Sequence, residues 1–262
     1  MERLFISIDQ DFGHAYRKWS EIPTDVGTVA PIPLPTSSGI IFGWTPGHLM
    51  FKDRYEAGRK LGQTLSKKRY KAQPIVLAIP RGGVVVGYQV AKELGCPLDI
   101  IVPRKIGAPH NPEYAIGAVA QDGSMVLDQK VVKSLGISSS YLEEAKKGEI
   151  EEIERRMKMY RKNLSEPQIV GKTAIIVDDG IATGSTIKAA ILSVKKKNPA
   201  LLVVAVPVGS PDSIAEIKPL IDDMVVLATS PYFAAVGQFY QNFGQTSDQE
   251  VIGLLQKASG PQ

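Results

Sequence analysis

The residues best suited to chemistry lie in one run, Ala174-Ile175-Ile176-Val177-Asp178-Asp179-Gly180-Ile181-Ala182-Thr183-Gly184-Ser185-Thr186. An apolar strand ends there in two carboxylates. A turn rich in glycine and hydroxyls follows, and a helix starts near Ser185. Backbone N–H groups at a turn and helix start, together with the positive end of the helix dipole, suit a phosphate. Thr183, Ser185 and Thr186 add hydroxyl donors, and Gly180 and Gly184 allow close approach and unusual backbone angles. Asp178 and Asp179 repel a phosphate but accept hydrogen bonds from a vicinal diol. A ribose 5-phosphate satisfies both halves; the plainer alternative is an ordinary strand-to-helix turn with an Asp cap.

Two more stretches carry cations to strand ends. Pro80-Arg81-Gly82-Gly83 follows an apolar strand, and its glycine N–H groups and Arg81 suit a pyrophosphate, or form a simple turn with an exposed Arg. Pro103-Arg104-Lys105-Ile106-Gly107-Ala108-Pro109-His110-Asn111-Pro112 is long, basic and rich in breakers, as an active-site lid is, or as a charged surface turn is. His110 reads as an exposed loop histidine with some capacity as a donor.

The Asp178–Thr186 run resembles, without gaps, the acid-acid-x-x-x-Thr-Gly-x-Thr fingerprint of the type I phosphoribosyltransferases. Pro-Arg-Gly-Gly, Arg-Lys-x-Gly-Ala-Pro-x-Asn-Pro-Glu and the Asp-Asp-Gly turn are similar to an uncharacterised subgroup of that family. The resemblance implies phosphoribosyl pyrophosphate (PRPP) as donor, with release of pyrophosphate. Asp178 and Asp179 would hold the ribose hydroxyls. Ala182, Thr183, Gly184, Ser185 and Thr186 would hold the 5-phosphate. Arg81, Gly82, Gly83, Arg104 and Lys105 would hold pyrophosphate, with Arg104, Lys105 and Asp179 as the catalytic set. The bond Pro80–Arg81 is the candidate for the cis peptide that some members have. Mg²⁺ is implied as cofactor, held by substrate and water rather than a protein cage, with Asp178 or Asp179 reaching it through water. In purine-salvage relatives a C-terminal hood stacks an aromatic ring on the base; Phe233 and then Tyr232 occupy that place, although such aromatics also serve as plain core. Dimers are common in the family, so a homodimer is an expectation, along with nucleotide salvage as the setting.

One position departs from the purine enzymes, which commonly place an Asp before the Thr-Gly of the fingerprint. Here it is Ala182. The acceptor, a nucleobase or another nitrogen compound, therefore stays open. So does a second reading from another class, a regulatory protein that senses PRPP with little or no catalysis.

The elements that must position these residues read as α/β. Helices are expected at 53–69, from Gly82 to Leu94, from Ser140 to Leu164, at 185–197, near 211–220 and after Ser247. Ser140-Tyr141-Leu142-Glu143 reads as a capping box. Leu142, Ile150, Ile153, Met157, Tyr160 and Leu164 form an apolar stripe. Strands are expected at 75–79, 98–102, 173–178, 201–206 and 224–228, with a hairpin near 116–127. Alternating strands and helices with continuous apolar runs predict a parallel sheet with helices on both faces, a flexible-loop hairpin and a small C-terminal hood. Ligands of such sheets bind beyond the carboxyl ends of the strands.

Residues 1–48 read as a poorly ordered or extended arm, with Pro31-Ile32-Pro33-Leu34-Pro35 at its centre. Trp19, Phe42 and Trp44 suggest that part of it packs on the body or a partner subunit, and Met50 reads as an alternative start. Residues 49–262 form the expected phosphoribosyltransferase domain, with the hood from about 229. The chain has 262 residues, 44% hydrophobic and 22% charged, which suffices for a sizeable core. Its single cysteine, Cys96, excludes an internal disulfide, and this fits a reducing compartment, the cytoplasm. No apolar run reaches membrane-spanning length. A net charge of +4 suits a polyanionic small molecule, and no nucleic-acid motif or zinc spacing is present.

Overall fold

The computed structural model describes residues 40–43, 50–120, 122–162 and 167–259. Most of the arm at 1–48 lies outside them, as do Trp19, Trp44 and Leu164. Within that arm, the backbone of Ile40–Gly43 (β1) forms a strand paired parallel with Asp223–Thr229 (β9).

The central sheet is six-stranded and parallel, in the order β1-β9-β8-β7-β2-β3. It uses Pro74–Ala78 (β2), Leu98–Ile100 (β3), Thr173–Val177 (β7) and Leu201–Gly209 (β8). The strands are continuous apolar runs because both faces are covered. Alternate residues of β2 point to opposite sides: Val76 and Ala78 join a core with Leu61, Val86 and Leu254, while Ile75 and Leu77 join one with Ile187, Ile191 and Ile214. The first core lies under Arg54–Ser66 (α1), Gly82–Leu94 (α2) and Asp248–Ser259 (α7). The second lies under Ser185–Lys195 (α5) and Pro211–Ile217 (α6).

The region 103–128 holds more structure than the expected hairpin. Arg104–Ala108 (β4), Asn111–Val119 (β5) and Met125–Leu127 (β6) form a three-stranded antiparallel sheet. The β5–β6 pair is the expected hairpin. The added strand β4 follows from its period of two: Ile106 and Ala108 are buried and Lys105 is exposed. The charged segment Arg104-Lys105 is thus a strand start and not a free turn.

Gln129–Ser134 (α3) leads to Ser139–Arg161 (α4). The capping box expected at Ser140 is corrected here. Ser138 is the N-cap, and its hydroxyl accepts from the Tyr141 N–H, so Glu143 falls beyond the box position. Ile153, Met157 and Tyr160 of the apolar stripe are buried. Ser247 does cap α7, accepting from the Glu250 N–H. Cys96 is buried, and burial pushes its thiol up to about 11, which suits a structural thiol. No helix among the described residues is long and apolar enough to cross a membrane.

Candidate functional site

Strand register brings the three motif-bearing ends together. Ala78 pairs with Ile100 on one side and with Val177 on the other. The Pro80 turn, the Pro103–Lys105 segment and Asp178 therefore leave the same edge of adjacent strands. They open into one cleft of about 930 Å³. Arg81, Gly82, Arg104, Lys105, Asp178, Asp179, Ala182, Thr183, Gly184 and Thr186 all line it. Ser185 and Gly83 stand behind the lining as the first residue of α5 and the second of α2.

The loop after β7 is built to present a helix start. Gly184 is the N-cap of α5 at φ 74°, a backbone that L side chains resist. The first N–H groups of a helix have no intrahelical acceptor, so those of the Ser185 turn face outward for a ligand. Ser213 of α6 donates to the Ala182 carbonyl at 2.5 Å and ties the loop down from behind. Ala182 and Thr183 are exposed.

Asp178 and Asp179 sit at the cleft floor. The Asp179 N–H donates to Asp178 Oδ1 at 2.8 Å. Burial first, and then the neighbouring Asp179 charge, push the Asp178 carboxyl well above the usual carboxylate range. The turn after β2 presses on both. A Cβ on Gly83 would meet Asp178 Cα and Oδ1 at 2.9 Å. The Pro80–Arg81 peptide bond is cis, as the resemblance implied. Arg81 occupies the N-cap position of α2 and has Nη1 3.8 Å from Asp248 Oδ1, at the start of α7.

Arg104 is held across the cleft, where its Nε donates to Glu149 Oε2 of α4 at 2.6 Å. Lys105 is exposed. Helix α4 forms one wall through Tyr141, Glu149 and Arg156, a contribution not read from the sequence.

The hood segment closes the other side. Val236 packs on the carboxylate loop, where a Cβ on Gly180 would lie 2.6 Å from Val236 Cγ1. Tyr232 and Phe233 are not among the cleft residues: Tyr232 is 57% exposed, and Phe233 stacks on Phe239 with centroids 5.3 Å apart. Val236, Gln245 and Thr246 reach the cleft instead.

Two residues missed in the sequence grip Asp179. Tyr240 donates its hydroxyl to the Asp179 carbonyl at 2.7 Å, and Arg54 Nε donates to Asp179 Oδ2 at 2.7 Å. Burial and then the Asp179 charge raise the Tyr240 phenol well above its ordinary value, so it stays a donor. Arg54 did leave a signal: it is the first residue of α1, where the helix dipole disfavours a cation. Such a residue calls for a carboxylate from elsewhere.

Among the described residues, no group of three or more His, Cys, Asp or Glu could cage a metal. The hard oxygens of Asp178 and Asp179 nonetheless suit the kind of Mg²⁺ site that uses one or two carboxylates with water and substrate phosphates.

Comparison with known proteins agrees with this geometry. The phosphoribosyl transferase domain matches residues 52–235. Two Mycobacterium tuberculosis proteins provisionally named phosphoribosyl transferases, from strains CDC 1551 / Oshkosh and ATCC 25618 / H37Rv, are each 43% identical over 209 residues. That stretch is 80% of this chain and 47% of each relative, so the chain spans about half the length of the curated relatives it matches. The crystal structure of TT1426 from Thermus thermophilus is similar at a TM-score of 0.69 and 38% identity, covering 80% of this chain and 99% of that one. With a domain match over most of its length and the family's motifs gathered at adjacent strand ends, the chain belongs to the phosphoribosyl transferase family.

Proposed function

We propose that this chain transfers the 5-phosphoribosyl group of PRPP to a nitrogen acceptor, a nucleobase by class, with release of pyrophosphate. The observation that carries the reading is the in-register meeting of a helix start, a carboxylate pair and two cationic segments in one cleft. Each part matches one part of PRPP. The Ala182–Thr186 loop holds the 5-phosphate on backbone N–H groups and hydroxyls. Asp178 and Asp179 accept from the ribose hydroxyls. Arg81, Gly82, Gly83, Arg104 and Lys105 hold the pyrophosphate.

The acceptor nitrogen forms a bond to C1 as the C1–O bond breaks, and pyrophosphate leaves with the bonding electrons. The proton lost by the acceptor passes to solvent. Arg104 and Lys105 stabilise charge as it grows on the leaving oxygen, while the Asp pair fixes the ribose against the attack. Mg²⁺, when bound, supplies further neutralisation of the pyrophosphate, and Asp178 and Asp179 would hold it through water.

The test is pyrophosphate release from PRPP and Mg²⁺ with a panel of nucleobases. Turnover with one of them is the expected result. Folded protein that neither binds PRPP nor turns over with any acceptor overturns the proposal. Tight PRPP binding without turnover moves the chain to the sensor class.

A further inference from the structure

Arg54 lines the cleft, and two of its donors are already committed within the protein. Nε is committed to Asp179 Oδ2 at 2.7 Å, and Nη1 donates to the Gly244 carbonyl at 2.7 Å. Its guanidinium carbon lies 3.8 Å from the Phe243 ring centroid, a cation–π contact. The side chain is only 12% exposed. One guanidinium therefore joins the carboxylate after β7 to the segment that follows the hood turn.

The backbone around it makes the same connection. The N–H groups of Met50 and Phe51 donate to the Phe239 carbonyl, while those of Gln241 and Asn242 donate to the carbonyls of Phe51 and Lys52. The hood segment is thus stitched to the residues leading into α1. Asp179 is gripped at both ends, its carbonyl by Tyr240 of that segment and its carboxylate by Arg54.

Geometry gives the grip a purpose. A carboxylate that accepts from a ribose diol must be held in one orientation, and Asp179 is half-buried with its Oδ2 fixed by Arg54. Several charged or polar groups stand around the pair: Arg54 from α1, Arg81 from the turn before α2 and Tyr240 from the hood. Arg104 and Glu149, paired with each other, stand across the cleft. Of these, Arg54 makes the direct ion pair.

We infer that Arg54 is a positioning residue for PRPP: it holds the Asp179 carboxylate aimed at the ribose, and it links that carboxylate to the C-terminal hood. The inference rests on the PRPP reading above. Lysine cannot replace it fully, because an ammonium lacks the planar fork that serves Asp179 and Gly244 together while stacking on Phe243.

The experiment measures affinity for PRPP and for pyrophosphate, which has no ribose, in wild type, Arg54→Gln and Arg54→Lys, each first checked for folding by circular dichroism. For Arg54→Gln, PRPP affinity should fall on the order of tenfold, as for the loss of a hydrogen bond to a charged group, while pyrophosphate affinity stays at the wild-type value. Arg54→Lys should recover part of the PRPP loss. A purely structural role would weaken binding of both ligands together, which overturns the inference, as does unchanged PRPP affinity. Should Arg54→Gln not fold, Arg54→Lys decides alone: weakened affinity supports the inference and wild-type affinity overturns it. Failure of wild type to bind PRPP at all counts against the proposed function instead.

Discussion

Gly82 and Asp179 touch so closely that a side chain has no place between them: a Cβ on Gly82 would lie 2.0 Å from Asp179 Oδ2 and 2.7 Å from Arg54 Nε. The turn after β2 and the carboxylate after β7 are closed on each other, although they carry different parts of the proposed ligand. Any Cβ there must displace the Asp179–Arg54 ion pair or the turn after β2. Gly82→Ala should therefore weaken PRPP binding by about tenfold or more and cost about 1–3 kcal/mol of stability, as overpacking does. Gly253→Ala is the control. Its Cβ meets nothing within 4 Å inside α7, so it should gain about 0.5–1 kcal/mol and leave affinity unchanged. Isothermal titration and urea unfolding of both variants check the pair.

Asp178 should make the protein less stable as its site becomes competent. Its folded-state pKa is raised above the ordinary 3.8, by burial first and by Asp179 second. Between the unfolded and folded values the native chain binds the extra proton, so stability falls as pH rises through that window. Above it, the chain carries the full cost of the buried charge. Asp178→Asn keeps an oxygen that can accept the Asp179 N–H and removes the charge. It should raise the melting temperature at pH 7, lose that advantage below about pH 3.8, and bind PRPP poorly throughout. Scanning calorimetry across pH reads the first two outcomes. A variant no more stable than wild type at pH 7 would count against the buried-charge account.

How much of this was legible depended on the distance over which each residue acts. The run Ala174–Thr186 could be read directly because strand, carboxylates, loop and helix start are contiguous, and their chemistry is local. Arg81 and Arg104 could be placed because parallel strands deliver their ends to one edge. Arg54 meets Asp179 across 125 residues of sequence, and no periodicity reports such a contact. Glu149 and Arg156 lay outside the apolar stripe of their helix, and the strand β4 that makes their face a cleft wall fell in a segment read as a long basic loop. Phe233 drew attention for being aromatic in the hood, yet Val236, Gln245 and Thr246 reach the cleft, and a valine carries no chemical signal.

Glu149 should restrain Arg104. The pair is 2.6 Å apart with side chains 31% and 26% exposed, so solvent screening limits its strength to about 0.2–1 kcal/mol. A ligand that recruits Arg104 must displace it. Glu149→Gln should accordingly tighten pyrophosphate binding by about two- to fivefold at low salt, a gain that shrinks as salt rises. Arg104→Ala should abolish the gain in the double variant, since the two residues form one coupled unit. Titration of pyrophosphate at two ionic strengths measures this, and additive effects of the two substitutions would contradict it.

The spacing of α1 on α2 should govern the site from a distance. Gly58 lets the helices approach: a Cβ there would meet the Val86 carbonyl oxygen at 2.7 Å and Gln89 Cβ at 2.9 Å. Backbone cannot give way as a flexible side chain can, so Gly58→Ala must push α1 outward. Better helix propensity would offset only about 1 kcal/mol of that strain. Arg54 stands one turn earlier on the same helix, and it moves with it. The expected result is a loss of about 1–3 kcal/mol in urea unfolding, accompanied by weaker PRPP binding although Gly58 itself does not line the cleft. Gly62→Ala, one turn further along, would meet mainly Cβ and Cγ of Glu93, at 2.7 and 2.9 Å. Only Cγ can rotate away, since Cβ is fixed to the backbone, so this variant should also lose stability; the strain falls a turn further from Arg54, so affinity should be kept. Equal loss of affinity in both variants would show that the helix pair acts on the site through general destabilisation and not through the placement of Arg54.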